Sequence, residues 1–242
     1  DQPRSRGLGD VYKRQAMEYL TQQNRLISGE TIHKKDRINA EGKRVVILGG
    51  GDTGADCLGT AHRQGAEIVY QYELLPEPPS QRKPNNPWPE WPMILRTSAA
   101  HEEGGIRDYN ILTKKFSGIS TVKKLHGVKI ELTQQNQGRP TFQEKEKSDF
   151  VLNAELVLLA MGFIHPEHDG LLTQLKVEFD ERGNVKTDQN KMTNIKKVFS
   201  AGDMSRGQSL VVWALAEGRE LARGVDEFLM GSTSLERVLI DN

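Results

Sequence analysis

A single cysteine, Cys57, in 242 residues excludes an internal disulfide, a C-x-x-C redox pair and any iron–sulfur cluster ligated wholly within this chain. Cys57 falls in a helix-like segment and reads as a buried structural thiol rather than a reactive one. Net charge is also missing, since 33 Lys and Arg balance 33 Asp and Glu. Neither nucleic acid nor an anionic membrane is therefore expected as a partner. No apolar run reaches membrane-spanning length, so the chain is expected to be soluble, with a cytoplasmic address as the default. The six histidines show no metal-ligand spacing and no convincing serine or cysteine partner. His165 and His168 read as solvated surface residues, and no general acid, base or metal site is expected. The length suits one large or two small domains.

What the chain does have is a compact motif in residues 43–65, KRVVILGGGDTGADCLGTAHRQG. Residues 45–48 read as a strand buried on both faces, and Gly49, Gly51 and Gly54 give the spacing G-x-G-x-x-G, with Gly50 inside it. Gly49 permits a tight turn, Gly51 lets a pyrophosphate approach bare backbone, and Gly54 lets the following helix pack closely on the strand. The helix beginning near Asp52 and Thr53 offers free N–H groups and its positive dipole end to phosphates. A second strand over residues 67–72 follows, completing the context of a dinucleotide site. Glu73 then stands where a carboxylate accepts hydrogen bonds from the adenosine ribose. That position favours NADH, whereas Arg82 and Lys83 on the next loop offer an alternative anchor for a 2′-phosphate. An ordinary solvated carboxylate at a strand end fits Glu73 as well.

Seven of the ten prolines lie in residues 76–92, PEPPSQRKPNNPWPEWP, a stiff and extended segment. Trp88 and Trp91 within it point to a cover over a cofactor, a domain or a partner, beside the simpler reading of a rigid loop or polyproline ligand. Residues 93–103 suggest a short helix. Residues 106–151 suggest antiparallel strands with turns at 137–138 and 144–147. Further on, AELVLLAMGF reads as a buried strand ending at Gly162, and residues 197–201 as another, ending at Gly202 and Asp203. Residues 208–230 read as one helix with Val211, Ala214, Leu215, Ala222, Val225 and Phe228 on one apolar face. An aspartate at such a strand end can accept a ribityl hydroxyl, and the helix N-terminus can stabilise a reduced flavin ring. Capping a turn is the equally simple role for Asp203.

Taken together, GGGDTGADCLGTAHRQGA, ELLPEPP, NPWPEWP, LVLLAMGF and AGDMSRGQSLVVWALAEGRELAR resemble the small (beta) subunits of glutamate synthase, over residues 16–231. The resemblance implies an α/β fold in which a Rossmann-like NAD(P)H-binding domain is inserted in an FAD-binding domain, here truncated. It implies hydride transfer from NAD(P)H to FAD, then electron transfer through iron–sulfur centres to a large (alpha) subunit that makes glutamate from glutamine and 2-oxoglutarate. By the same resemblance Gly49, Gly51, Asp52, Thr53 and Gly54 form the pyridine-nucleotide turn, and Ala160, Met161 and Gly162 the hinge back into the FAD domain. Gly202 and Asp203 match a second FAD motif, and Gln208, Ser209 and Leu210 the turn under the isoalloxazine ring. Met204 replaces a common cysteine.

The first FAD-binding G-x-G-x-x-G and the iron–sulfur cysteines are absent, so those clusters are expected only in a missing N-terminal region. Residues 1–15 are expected to be a non-native assembly scar, 16–42 a helix and linker, 43–160 the NAD(P)H domain, 161–231 the closing part of the FAD domain and 232–242 a tail. The isolated chain is expected to be inactive, to bind FAD poorly and to expose an apolar patch. Two other readings stay open: a related NAD(P)H-flavin reductase serving another acceptor, and a non-catalytic nucleotide-binding or docking module.

Overall fold

A computed structural model describes residues 14–87, 93–136 and 139–238, in two compact units, Asp1–Met161 and Gly162–Asn242. In the first, the short strand β1 (Arg14–Gln15) leads into α1 (Ala16–Ile27). After a 3-10 turn come β2 (Arg44–Leu48), α2 (Asp52–Arg63) and β3 (Ile68–Tyr72). The one-turn α3 (Ala99–Glu102) and β4 (Ile106–Asp108) precede the strands β5 (Ile111–Gly118), β6 (Val122–Asn136), β7 (Arg139–Glu144), β8 (Phe150–Asn153) and β9 (Leu156–Leu159). Five strands form an all-parallel sheet in the order β1-β9-β2-β3-β4. The other strands, β5 to β8, make an antiparallel sheet around β6.

Alternation along β2 explains how three layers stack. Val45 and Ile47 point to the α1 and α2 side, where they join Tyr19, Cys57, Leu58 and Leu158. Val46 and Leu48 point the other way, to Phe116, Leu125 and Val157 beside the antiparallel sheet. A strand covered on both faces reads as a continuous apolar run, as RVVIL does. Each such side chain contributes roughly 1.5–3 kcal/mol by leaving water. Cys57 sits fully buried in the first of these cores, and burial pushes its thiol pKa up to about 12, the setting of a structural thiol.

Two expectations about local structure change here. Residues 93–103 form a helix only over Ala99–Glu102, capped by Ser98. The Met93 N–H donates to Asn86 Oδ1 at 2.8 Å and the Leu95 N–H to the Pro79 carbonyl at 2.8 Å, which ties the preceding residues to the proline loop. Residues 106–108 pair parallel with β3, so the antiparallel strands begin only at Ile111. The 137–138 turn, Trp88 and Trp91 lie outside the described residues.

The second unit has α4 (Leu171–Leu175), α5 (Asp203–Arg206) and α6 (Val211–Met230) around a small core of Leu172, Val177 and Val185. The strand expected at 197–201 is reduced to a single bridge between Phe199 and Met192, with Lys197 at φ +73 breaking any extended run. His165 and His168 are not merely solvated. Their rings stack at 4.1 Å, and His168 stacks on Phe179 at 3.9 Å. His168 Nε2–H also donates to the Gly183 carbonyl at 2.7 Å.

Candidate functional site

β2, β3 and β9 end side by side at Leu48, Tyr72 and Leu159. The crevice beyond strand C-termini is where open α/β sheets bind ligands. The chain leaves β2 at Gly49, whose N–H donates to the Tyr72 carbonyl at 2.8 Å. Gly49 has φ +125, and a Cβ there would overlap the Ala160 carbonyl oxygen, so both torsion and space require glycine. At Gly54 a Cβ would overlap the Gly49 carbonyl and stand 2.6 Å from Gln71 Nε2, which is the close helix–strand packing expected there. Gly51 is different, since nothing lies within 4 Å of a Cβ built on it. The α2 N-terminus, with Asp52, Thr53 and Gly54 in its first turn, carries no side-chain cap. Bare backbone and an uncapped twelve-residue helix therefore face open space together, which suits an anion such as a pyrophosphate.

Glu73 lies across this turn. Its Oε2 accepts the Gly50 N–H at 2.6 Å and its Oε1 the Leu75 N–H at 2.9 Å. Gln71, two residues earlier and buried, donates its side-chain amide to the Gly49 carbonyl at 2.9 Å. Its own side-chain oxygen faces His101 Nε2 at 2.9 Å. The Ser98 N–H donates to His101 Nδ1 at 3.1 Å, so the proton of the neutral ring belongs on Nε2 and is donated to Gln71. Burial, then the Arg107 charge, hold the His101 pKa below its usual value, with Asp52 opposing. Gln71 and His101 were missed in the sequence. The one available signal was a glutamine inside an otherwise apolar and aromatic strand, IVYQY.

Ala160 continues from β9, its N–H donating to the Leu48 carbonyl at 2.8 Å, and Met161 is 45% exposed. In the second unit Gly162 takes φ +80, and the adjoining Phe163 N–H donates to Gln208 Oε1 at 3.1 Å. Asp203 Oδ1 accepts both the N–H and the hydroxyl of Ser209, at 3.1 and 3.0 Å. Gly202, Asp203, Ser209 and the start of α6, just after Leu210, border a depression of about 710 Å³. Ser200 also lines it, and its buried Oγ has no hydrogen-bond partner among the described residues. An orphaned hydroxyl beside a glycine–aspartate turn suits a polar ligand such as the ribityl and phosphate part of a flavin nucleotide. A larger cavity, about 940 Å³, lies at the opposite end of the parallel sheet against Gln22, Lys43 and Glu155 and touches none of these residues.

Beneath the Gly202 turn stands Glu217 of α6, only 4% exposed. Its Oε2 accepts the Gly202 N–H at 2.8 Å, and its Oε1 pairs with Arg206 at 3.0 Å and Lys191 at 3.2 Å. Burial alone would raise its pKa, but the Gly202 N–H and the two cations outweigh that and lower it. The face that α6 buries in this chain is therefore not its apolar stripe, in keeping with the exposed apolar patch expected of it. The buried positions are Glu217, Glu220 and Gly224, while Val211 and Leu215 are 72% and 66% exposed. Gly224 allows the approach, for a Cβ there would overlap the Asn190 carbonyl.

A parallel sheet whose strand ends carry a glycine turn and an uncapped helix defines a dinucleotide-binding type of α/β protein. The chain belongs to the pyridine nucleotide-disulphide oxidoreductase family, whose model matches residues 11–218. With one cysteine in this chain, the disulphide of that description has no counterpart here. Over 224 residues and 91% of the chain it is 51% identical to a glutamate synthase [NADPH] small chain of Mycobacterium tuberculosis, covering 45% of that protein. It is 40% identical over 91% of the chain to the Bacillus subtilis glutamate synthase [NADPH] small chain, covering 46% of it. A Schizosaccharomyces pombe glutamate synthase [NADH] is also 40% identical, over 91% of this chain and 11% of that one. The chain thus spans about half the length of the small chains it matches, and the resemblance drawn from its motifs is borne out. Among solved structures, Mycobacterium tuberculosis FprA in complex with NADPH shares the fold, with a TM-score of 0.57 at 14% identity, over 80% of this chain and 55% of that one. Among the described residues no helix is long and apolar enough to cross a membrane.

Proposed function

We propose that this chain is part of a glutamate synthase small subunit that takes hydride from NAD(P)H and passes electrons, through FAD, towards a large subunit making glutamate. The observation that carries the reading is the open Gly51 backbone at the uncapped start of α2, in a chain half identical to such small chains.

The residues divide by task. Gly49, Gly50, Gly51, Asp52, Thr53 and Gly54 hold the pyrophosphate of the nicotinamide coenzyme, and Glu73 its adenosine ribose. Gly202 and Asp203 hold the polar part of FAD, and Gln208, Ser209 and Leu210 shape the turn at its ring. The division of the chain after Met161 supports a hinge at Ala160, Met161 and Gly162. Bound FAD supplies the acceptor of the hydride. The protein's part is alignment rather than acid–base chemistry. The iron–sulfur centres need more cysteine ligands than the single one of this chain, so those ligands come from elsewhere.

The test joins residues 16–242 to the N-terminal half of a related small chain and measures bound flavin together with NADH- and NADPH-dependent reduction of an artificial acceptor. A yellow, active protein supports the proposal, and co-purification with a large subunit separates it from a reductase serving another acceptor. A folded, colourless and inactive fusion would replace it with a non-catalytic binding module.

A further inference from the structure

We propose that Glu73, paired with Gly50, makes this chain selective for NADH over NADPH. The inference rests on the dinucleotide site proposed above and names its coenzyme. The names of similar proteins do not decide the matter, because they include both NADPH and NADH forms.

The carboxylate is fixed rather than free. Both its oxygens accept backbone N–H groups, from Gly50 at 2.6 Å and Leu75 at 2.9 Å, and swinging it away would strip two donors of their partner. A carboxylate offers about four lone-pair sites, so capacity remains for two ribose hydroxyls. Gly50 is shaped to this arrangement. A Cβ there would stand 2.8 Å from Glu73 Oε2, so any other residue would push the carboxylate off the turn.

A 2′-phosphate would bring like charge against that fixed carboxylate, and like charges in contact give strong discrimination. Relief would need a cation, and none forms an ion pair with Glu73 among the described residues. Arg82 Nη1 donates to the Asn86 carbonyl at 2.9 Å. Arg107 Nη2 donates to the Arg96 carbonyl at 3.1 Å and to the Tyr109 hydroxyl at 2.7 Å. Neither of the phosphate anchors that the sequence offers, Arg82 and Lys83, forms an ion pair with Glu73 among the described residues, whereas the carboxylate is already held on the turn.

The experiment uses the 242-residue chain and two probes of the adenosine half alone, ADP-ribose and 2′-phospho-ADP-ribose, titrated calorimetrically. ADP-ribose is expected to bind roughly tenfold tighter or more, and the gap is expected to narrow in high salt as the repulsion is screened. In Glu73→Gln the gap closes, with circular dichroism as the check on folding. Should that variant unfold, Glu73→Asp, which keeps the charge, must retain the preference. Equal or tighter binding of the phosphorylated probe, or an unchanged gap in folded Glu73→Gln, overturns the proposal and leaves the dinucleotide site standing. Binding of neither probe to the wild-type chain removes the site itself, and the coenzyme choice with it.

Discussion

The Gln71 side chain joins the Gly49 carbonyl to His101, with 2.9 Å on each side. Through it the glycine turn is tied to the cap of α3, a segment about thirty residues further along the chain. Gln71→Leu removes the donor to Gly49 and the acceptor for His101 at once. Leaving buried polar groups unpaired costs about 1–3 kcal/mol, so both thermal stability and dinucleotide affinity fall. Wild-type affinity in a chain of lowered melting temperature would reduce the link to a purely structural one.

His101 gives that network a pH dependence. Its pKa is lowered from 6.5, first by burial and then by Arg107. Between 6.5 and the lower folded value the unfolded chain binds a proton that the native chain does not. Stability from this group is therefore full above about pH 6.5 and lost as pH falls through the folded value. His126 shifts in the same direction, by burial and by Lys115 and Lys124, so the two must be separated. Thermal melts at about pH 7.5 and 5.5, well either side of the ordinary histidine value, are expected to differ less in His101→Gln than in wild type. An unaltered difference would assign the dependence to His126 instead.

Gly49 and Gly51 differ in kind, although the motif writes them alike. Alanine at position 49 meets both a φ of +125 and the Ala160 carbonyl, and backbone strain of this type costs about 1–3 kcal/mol before the overlap is counted. Gly49→Ala should melt several degrees lower. At position 51 there is open space and φ is −82, so Gly51→Ala should melt as wild type while losing dinucleotide affinity. If both variants bind ADP-ribose normally, the turn is a packing device and not a phosphate cradle.

Legibility from sequence followed periodicity and local geometry. RVVIL, the glycine turn and α2 lie within about twenty contiguous residues, and their apolar alternation and spacing carry the strand–turn–helix directly. Glu73 was legible for the same reason, since one strand end fixes its place. What the sequence hid are partners far apart in the chain: Gln71 with His101, and Glu217 with Gly202 and Lys191. The α6 helix shows why. Its apolar stripe was legible at helical spacing, but not the face it buries here, where backbone N–H groups and, at Glu217, two cations draw in Glu217 and Glu220 and leave Val211 and Leu215 outside.

Glu217 is expected to be the most sensitive single charge of the second unit. Removing one member of a buried pair costs about 3–5 kcal/mol, and the partial exposure of Arg206 and Lys191 places Glu217→Gln toward the lower end. The variant keeps an acceptor for the Gly202 N–H, so its loss comes from the ion pairs. Because the pKa of Glu217 lies below the usual 4.5, its contribution is present above that pH and lost as pH falls through the lowered value. Hydrogen exchange at the Gly202 amide reads the effect locally. Exchange there no faster than in wild type would show that the carboxylate does not hold the turn.

The exposed side of α6 makes a prediction about association. Val211, Val212 and Leu215 are 72%, 60% and 66% exposed and fall within little more than one helical turn, a clustered apolar surface of the kind that promotes contact between molecules. Lysine at positions 211 and 215 replaces that surface with charge while touching none of the buried positions Glu217, Glu220 and Gly224. Surface changes of this type alter stability by no more than about 0.5 kcal/mol, so the melting temperature should hold. Light scattering at high protein concentration should fall clearly in the Val211→Lys, Leu215→Lys double variant. If scattering is unchanged, association proceeds through another surface, and the exposed stripe of α6 is tolerated by water as it stands.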